Sequence, residues 1–118
     1  MDEQAFKART KQLGIRVIRL VEALPAAPGA RVIGDQLLRS AMSVGANYRA
    51  ACRAKSRPDM INKLKIVEEE ADETLYWLEL LVEAEFFPET RLKELMNETN
   101  EIIAITVSSI KTLRQKKP

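Results

Sequence analysis

Four segments of the chain carry apolar residues at spacings of three and four, and short corners separate them. In the first segment these residues run from Phe6 to Leu24, and similar stripes cross residues 33–52, 60–81 and 92–113. Such spacing is typical of a helix that buries one side. Four amphipathic helices joined in this way have few ways to hide their apolar faces other than against one another.

The corners between the stripes contain residues that end helices. Pro25 to Gly29 holds two prolines, which lack backbone donors, and a glycine that allows a left-handed turn. Ser56 to Asp59 has the spacing of a helix-capping box, and Pro88 marks the last corner. We therefore predict an all-α fold, an antiparallel up-down-up-down bundle of four helices. The predicted single domain covers residues 1–118, with helices at about 3–24, 31–55, 57–85 and 88–115.

Some apolar residues lie outside these stripes and predict a second contact, most simply with another copy of the chain. They are Ile15 and Ile18 in the first helix and Ile102, Ile105 and Val107 in the fourth. Gly45 interrupts the second helix, where glycine costs about 1 kcal/mol relative to alanine. We therefore expect a neighbouring backbone or side chain to lie against Gly45.

Charge is strongly segregated although the net charge is only +2. Residues 31–65 contain eight bases and two acids, whereas residues 68–101 contain twelve acids and two bases. A molecule with a basic and an acidic face can bind copies of itself or a polyanion, and the charges alone leave both open.

The composition removes most enzymatic chemistry. The chain has no histidine, so the side chain most often used as a general base near neutral pH is missing. Glu70 and Glu73 lie three residues apart on one helix, but di-iron bundles pair such residues with histidine. The glycines are scattered and form no phosphate-binding loop. We predict a protein that is not an enzyme, with no cofactor and no metal site.

Cysteine usage and hydropathy predict a cytoplasmic protein that is not associated with a membrane. Cys52 is the only cysteine, so no internal disulfide can form, and its helical setting favours buried packing over reactivity. The opening Met1, Asp2 and Glu3 are unlike a secretory signal, and no apolar run is long enough to span a bilayer.

Bases around the second corner are the best candidates for a binding site. Outward-facing lysines and arginines there could neutralise phosphates of RNA or DNA in a salt-dependent manner. The alternative is that they pair with Glu68 to Glu73 of the same or a neighbouring subunit, an alternative that we favour for Arg39 and Arg49. Tyr48 and Trp77 could stack on bases, although aromatic residues at helical spacing are more often core or interface anchors. The predicted nucleic-acid-binding residues are Arg53, Lys55, Arg57, Lys63 and Lys65.

The chain resembles a known family over essentially its whole length, and residues 43–81 carry much of the resemblance. The motifs Ser43 to Tyr48, Lys63-Leu64, Glu73-Thr74 and Tyr76-Trp77-Leu78, at their spacing in this chain, are similar to those of the bacterial four-helix-bundle proteins from intervening sequences of 23S ribosomal RNA genes. The resemblance implies a homopentameric ring. It also implies kinship of fold with the accessory variability determinant protein of diversity-generating retroelements, a basic pentamer that binds nucleic acid and a reverse transcriptase.

The chain departs from the family pattern directly after Tyr48. An acidic residue is common there, whereas this sequence has Arg49-Ala50-Ala51, which makes the corner more basic. A ring also suits the charge segregation, because head-to-tail closure joins two different patches of one subunit. The predicted subunit-interface residues are Arg39, Asn47, Tyr48, Arg49, Glu70, Glu73 and Trp77.

Two functions remain open from the sequence. The first is a ring-forming adaptor associated with RNA or DNA. The second is a purely structural or protein-recruiting homo-oligomer whose basic residues are used up in subunit contacts.

Overall fold

The computed structural model describes residues 2–116, and it is a bundle of four helices. Neighbouring helices run antiparallel: Gly45 of the second helix lies against Thr10 of the first, and Gly34 lies against Val21 and Leu24. The predicted fold class is therefore confirmed. The helices are α1 (Glu3–Glu22), α2 (Pro28–Cys52), α3 (Arg57–Glu83) and α4 (Glu89–Gln115).

Side chains cap two of the helices. The Asp2 carboxylate accepts a 2.7 Å hydrogen bond from the amide of Ala5 at the start of α1. Ser56 accepts one of 3.2 Å from the amide of Asp59 at the start of α3, as the capping box predicts. Each bond satisfies an amide that has no partner inside its helix, and so sets where the helix begins.

The first corner is shorter than the sequence suggested. Pro28 and Gly29 belong to the first turn of α2, because proline at the first helical position needs no donor and already has a helical φ. The expected left-handed turn at Gly29 is wrong. Within residues 2–116 the left-handed backbone occurs at Glu85 (φ 63°), in the corner between α3 and α4, and at no glycine.

The core is a continuous set of leucine, valine and isoleucine side chains from all four helices. Leu13, Leu37, Leu78 and Ile102 are each 0% exposed. Ile102 corrects the sequence analysis, which had put it outside the main stripe. Thr99 and Thr106, both 0% exposed, share its face of α4, whereas the neighbouring Ile103 is only half-buried.

Contacts between the helices are uneven. α2 packs along α3, α3 along α4, and α1 along α2, whereas α1 touches α4 over a much shorter stretch. Arg9 spans this narrower seam: its guanidinium donates to both carboxylate oxygens of Glu98 at 2.9 and 2.6 Å, and to Glu101 at 3.2 Å. Ion pairs therefore contribute to the contact between α1 and α4.

Candidate nucleic-acid interface and subunit contacts

The corner between α2 and α3 is held by Asp59. Its carboxylate accepts hydrogen bonds from the backbone amide of Lys55 at 3.2 Å and from the ammonium of Lys63 at 3.3 Å. These two bonds lower the pKa of the Asp59 carboxyl, with the backbone amide as the larger cause. Asp59 therefore stays ionised at neutral pH and fixes the loop that carries the basic side chains.

Four bases surround one cavity beside this corner. The cavity has a volume of about 410 Å³, and its only acid is Asp59. Arg49 and Arg53 come from the end of α2, Lys55 from the loop and Lys63 from the second turn of α3. Alanines make up the rest of the lining, so the bases surround an open space. The lining residues are Ala46, Arg49, Ala50, Arg53, Lys55, Asp59 and Lys63.

The other two predicted nucleic-acid-binding residues lie elsewhere. Arg57 turns towards the end of α4, where its guanidinium donates a 2.6 Å hydrogen bond to the carbonyl of Lys116. Lys65 is exposed and does not line the cavity. It follows Lys63 by two residues, which corresponds to about 200° around a helix. The structure thus brings together Arg53, Lys55 and Lys63, and adds Arg49.

A second cavity adjoins the first. This groove, between α1 and α2, has a volume of about 420 Å³ and shares Ala46 and Arg49 with the corner cavity. Its floor is made of small residues and its rim is partly apolar and partly basic. The groove is lined by Lys7, Thr10, Lys11, Gly14, Ile15, Ile18, Met42, Gly45, Ala46 and Arg49.

Arg39 has its acidic partners within its own chain. Its guanidinium lies 2.6 Å from the carboxylate of Glu73 and 3.4 Å from that of Glu70, across the α2–α3 seam. These carboxylates raise the pKa of Arg39, mainly through the hydrogen bond to Glu73. Three of the predicted interface residues therefore form an ion-pair network inside one subunit.

Two other predicted interface residues also make contacts within the chain. Tyr48 is 8% exposed, and its ring meets the Phe6 ring edge-on at 4.7 Å between centroids. Burial raises the pKa of the Tyr48 hydroxyl, so it remains protonated. The Asn47 side-chain amide donates to the carbonyl of Ser43 at 2.9 Å. Tyr48 therefore contributes to the core of the subunit.

The side chain of Trp77 is half-buried, and its indole nitrogen has no hydrogen-bond partner within residues 2–116. Its neighbour Tyr76 is 54% exposed and meets the Trp77 ring at 5.0 Å between centroids. The exposed aromatic of this pair is thus Tyr76, which the sequence analysis did not select as a contact residue.

Cys52 is half-buried next to Tyr48 at the end of α2. Burial raises the pKa of the Cys52 thiol, so the thiolate, which is the nucleophile and metal-binding form, is disfavoured at neutral pH.

Across residues 2–116 no three acids or cysteines lie close enough together to hold a metal ion. None of the described helices is long and apolar enough to cross a bilayer.

The sequence matches the family described as 23S rRNA-intervening sequence protein over residues 3–108, nearly the whole chain. The chain belongs to this family. The resemblance drawn from its motifs is therefore confirmed.

A solved relative of this 23S rRNA-intervening sequence protein shares the fold. It is a crystal structure from Bacteroides thetaiotaomicron, described as a protein with unknown function from the S23 ribosomal protein family. The two chains are 38% identical, the match covers 94% of this chain and 99% of that one, and the TM-score is 0.87. No significant match was found among curated proteins.

The groove of this family member was missed by sequence reasoning. Lys7 and Lys11 come from α1, and they join Arg49 only because α1 and α2 pack side by side. Two features of the sequence indicated this groove. One is Gly45, where an added β-carbon would lie 3.2 Å from the carbonyl oxygen of Thr10, and the other is the pair Ile15 and Ile18, which lie outside the stripe. The expected close neighbour of Gly45 is thus the backbone of α1.

Proposed function

We propose that this chain is a non-enzymatic, cytoplasmic adaptor that binds RNA or DNA and whose copies close into a ring, a pentamer as the family resemblance implies. The observation that carries the nucleic-acid part is the corner cavity, where Arg49, Arg53, Lys55 and Lys63 face one space with a single acid. Clustered bases of this kind neutralise phosphates without reading base sequence.

The availability of these bases supports the proposal. Arg53 and Lys55 are exposed, and within residues 2–116 their side chains form no ion pair. Lys63 contacts Asp59, but a single carboxylate offsets only one of the four positive charges. The cavity therefore keeps a positive field at its mouth, where a phosphate backbone could be attracted over a distance of about 10 Å at 0.1 M salt.

The ring is supported by apolar side chains that one bundle leaves in water. Val32, Met42 and Tyr76 are more than half exposed, and Ile18 and Val107 are 39% and 43% exposed. Ile18 and Met42 line the same groove between α1 and α2, and exposed apolar residues that adjoin one another are typical of a surface that binds another chain. Five copies of the 13.4 kDa chain would have a mass of about 67 kDa.

A salt titration of labelled RNA tests the nucleic-acid part. Wild-type protein should bind at low salt with an affinity that falls linearly on a log–log plot. Each contact to single-stranded phosphate adds about 0.7 to the magnitude of that slope, so Arg53→Gln with Lys55→Gln should reduce it by about 1.4. Lys65→Gln is the matched control, because Lys65 is exposed but lies outside the cavity.

Two results would remove this reading. One is an absence of RNA and DNA binding at low salt. The other is an equal loss in the Lys65 control, which would mean that overall charge and not the cavity is responsible. The first result would favour the second candidate, a structural or protein-recruiting oligomer, whereas the second would keep nucleic-acid binding but take it away from the cavity. The observations in favour of the second candidate are the bonds that Arg39, Arg57 and Lys63 already make within the chain.

A further inference from the structure

The groove between α1 and α2 is shaped so that a third helix can pack into it. Gly14 and Gly45 leave its floor without side chains, and Ala46 adds only a methyl group. At Gly45 a β-carbon would lie 3.2 Å from the carbonyl oxygen of Thr10, so the two backbones are close together under the groove. Small residues at such a floor allow another helix to approach closely.

The rim of the groove has two chemically different ends. Ile15, Ile18 and Met42 form an apolar end, and Ile18 and Met42 are 39% and 52% exposed. Lys7, Lys11 and Arg49 form the basic end. The fitting occupant therefore has acids and at least one apolar side chain on the same face.

One helix of the same chain carries such a face. Glu69, Asp72, Tyr76, Glu79 and Glu83 are all exposed and follow one another at spacings of three and four, so they form one line along α3, here called the acidic stripe. None of its four acids forms an ion pair within residues 2–116. Tyr76 is 54% exposed at its centre and rests edge-on against Trp77.

The stripe is long enough to span the groove. From Lys7 to Ile18 the rim extends about 16 Å, and from Glu69 to Glu83 the stripe extends about 21 Å, at about 1.5 Å per helical residue. Laid along the groove, the stripe can bring carboxylates to the lysines while Tyr76 covers part of the apolar rim.

A single copy cannot make this contact with itself. α1 and α3 are diagonal in the bundle and share no helix–helix contact, and the acidic stripe faces solvent. The occupant must therefore come from another molecule. Because groove and stripe are different surfaces, their contact is head-to-tail and can close into a ring.

We propose that the groove between α1 and α2 binds the acidic stripe of a second copy of this chain. The inference rests on the proposed ring and names the two surfaces that form it. In this arrangement the corner cavity lies directly beside the subunit contact, because Ala46 and Arg49 line both. A ring would then repeat the cavity at every junction between subunits.

Charge reversal on each side tests the contact. The groove variant is Lys7→Glu with Lys11→Glu, and the stripe variant is Glu69→Lys with Asp72→Lys. Each should reduce the mass measured by light scattering after size exclusion from the oligomer to 13.4 kDa. A chain carrying all four changes should recover the oligomer mass, because its charges are again complementary. A misfolded chain could not recover in this way.

The control is Lys93→Glu with Lys111→Glu, two charge reversals at exposed residues of α4, outside both surfaces. It should leave the mass unchanged. If the wild type is an oligomer and both charge-reversed variants keep its mass, this contact is overturned and the ring is left standing. Dissociation caused by the Lys93→Glu, Lys111→Glu control would have the same meaning. A wild-type monomer would overturn the ring as well. RNA binding by the groove variant tests whether the groove binds nucleic acid and not a second copy. Loss of RNA binding with an unchanged mass would assign the groove to nucleic acid.

Discussion

The hydroxyl oxygens of Thr74 and Ser40 lie 3.0 Å apart inside the seam between α2 and α3, where both side chains are 0% exposed. Each hydroxyl can also donate to a carbonyl of its own helix, Ser40 to Leu37 at 3.2 Å and Thr74 to Glu70 at 2.8 Å. A buried polar pair of this kind favours one axial position of the two helices, since sliding would break the hydrogen bond between them.

Replacing one hydroxyl of this pair should destabilise the bundle. Thr74→Val keeps the volume but leaves Ser40 with one partner fewer, so we expect a loss of about 1–2 kcal/mol in the free energy of unfolding. Ser40→Ala with Thr74→Val should cost less than the sum of the single changes, because both single changes break the same hydrogen bond. Urea unfolding at a fixed protein concentration measures all three.

Thr99→Val is the matched control. Thr99 is equally buried, but its hydroxyl bonds only to the carbonyl of Leu95 in its own helix. We expect it to cost less than Thr74→Val. Equal losses for both, with additive single changes in the double variant, would contradict the role assigned to the pair.

The helices could be predicted from sequence because periodicity reports local geometry. Pro28 shows the limit at a boundary: proline is compatible with a corner and with a first helical turn, and only the tertiary fold selects the second. Ile102 and Ile103 show the limit on a face. Each lies three or four residues from both Thr99 and Thr106, so spacing alone allows either to be buried. Packing against the rest of the bundle decides which one is.

The site was less predictable, because it depends on contacts between helices. The corner bases were found since they are neighbours in sequence, yet Arg57 bonds to the carbonyl of Lys116, at the far end of the chain. Lys11 was missed since it joins Arg49 only through the packing of α1 on α2. Which of the selected bases face a common space is therefore a property of the fold.

The two glycines of the groove should respond differently to alanine. A β-carbon at Gly14 would meet its nearest neighbours at 3.9 Å, an ordinary contact, whereas one at Gly45 would lie 3.2 Å from a backbone oxygen. Gly14→Ala should therefore gain most of the helix propensity of alanine, about 0.5–1 kcal/mol. Gly45→Ala should gain less or lose, because α1 must move. Thermal unfolding of the two variants measures the difference. A larger rise in unfolding temperature for Gly45→Ala than for Gly14→Ala would contradict the close approach of the α1 backbone to Gly45.

Arg9 should stabilise the narrow seam between α1 and α4. Its guanidinium binds Glu98 with two parallel bonds, and the side chains are only 24% and 21% exposed. Arg9→Lys keeps the charge but loses the forked geometry, so we expect a loss of about 1 kcal/mol. Amides in the first half of α1 should also exchange with deuterium faster. Arg39→Lys is the comparison: the Arg39 side chain is 51% exposed, and its loss should be smaller.

Acid should weaken the α2–α3 corner through Asp59. The amide of Lys55 and the ammonium of Lys63 hold the pKa of this carboxyl below its ordinary value of 3.8. Because the folded pKa is the lower one, the stabilisation is fully present above pH 3.8 and is lost as the pH falls through the folded value. Asp59→Asn should therefore lower the unfolding temperature at pH 7, and the difference from wild type should shrink in acid below pH 3.8. Lys63→Gln removes one of the two partners and should reduce this pH-dependent difference without abolishing it. A difference between wild type and Asp59→Asn that stays constant from pH 7 into acid would show that the charge of Asp59 does not stabilise the corner.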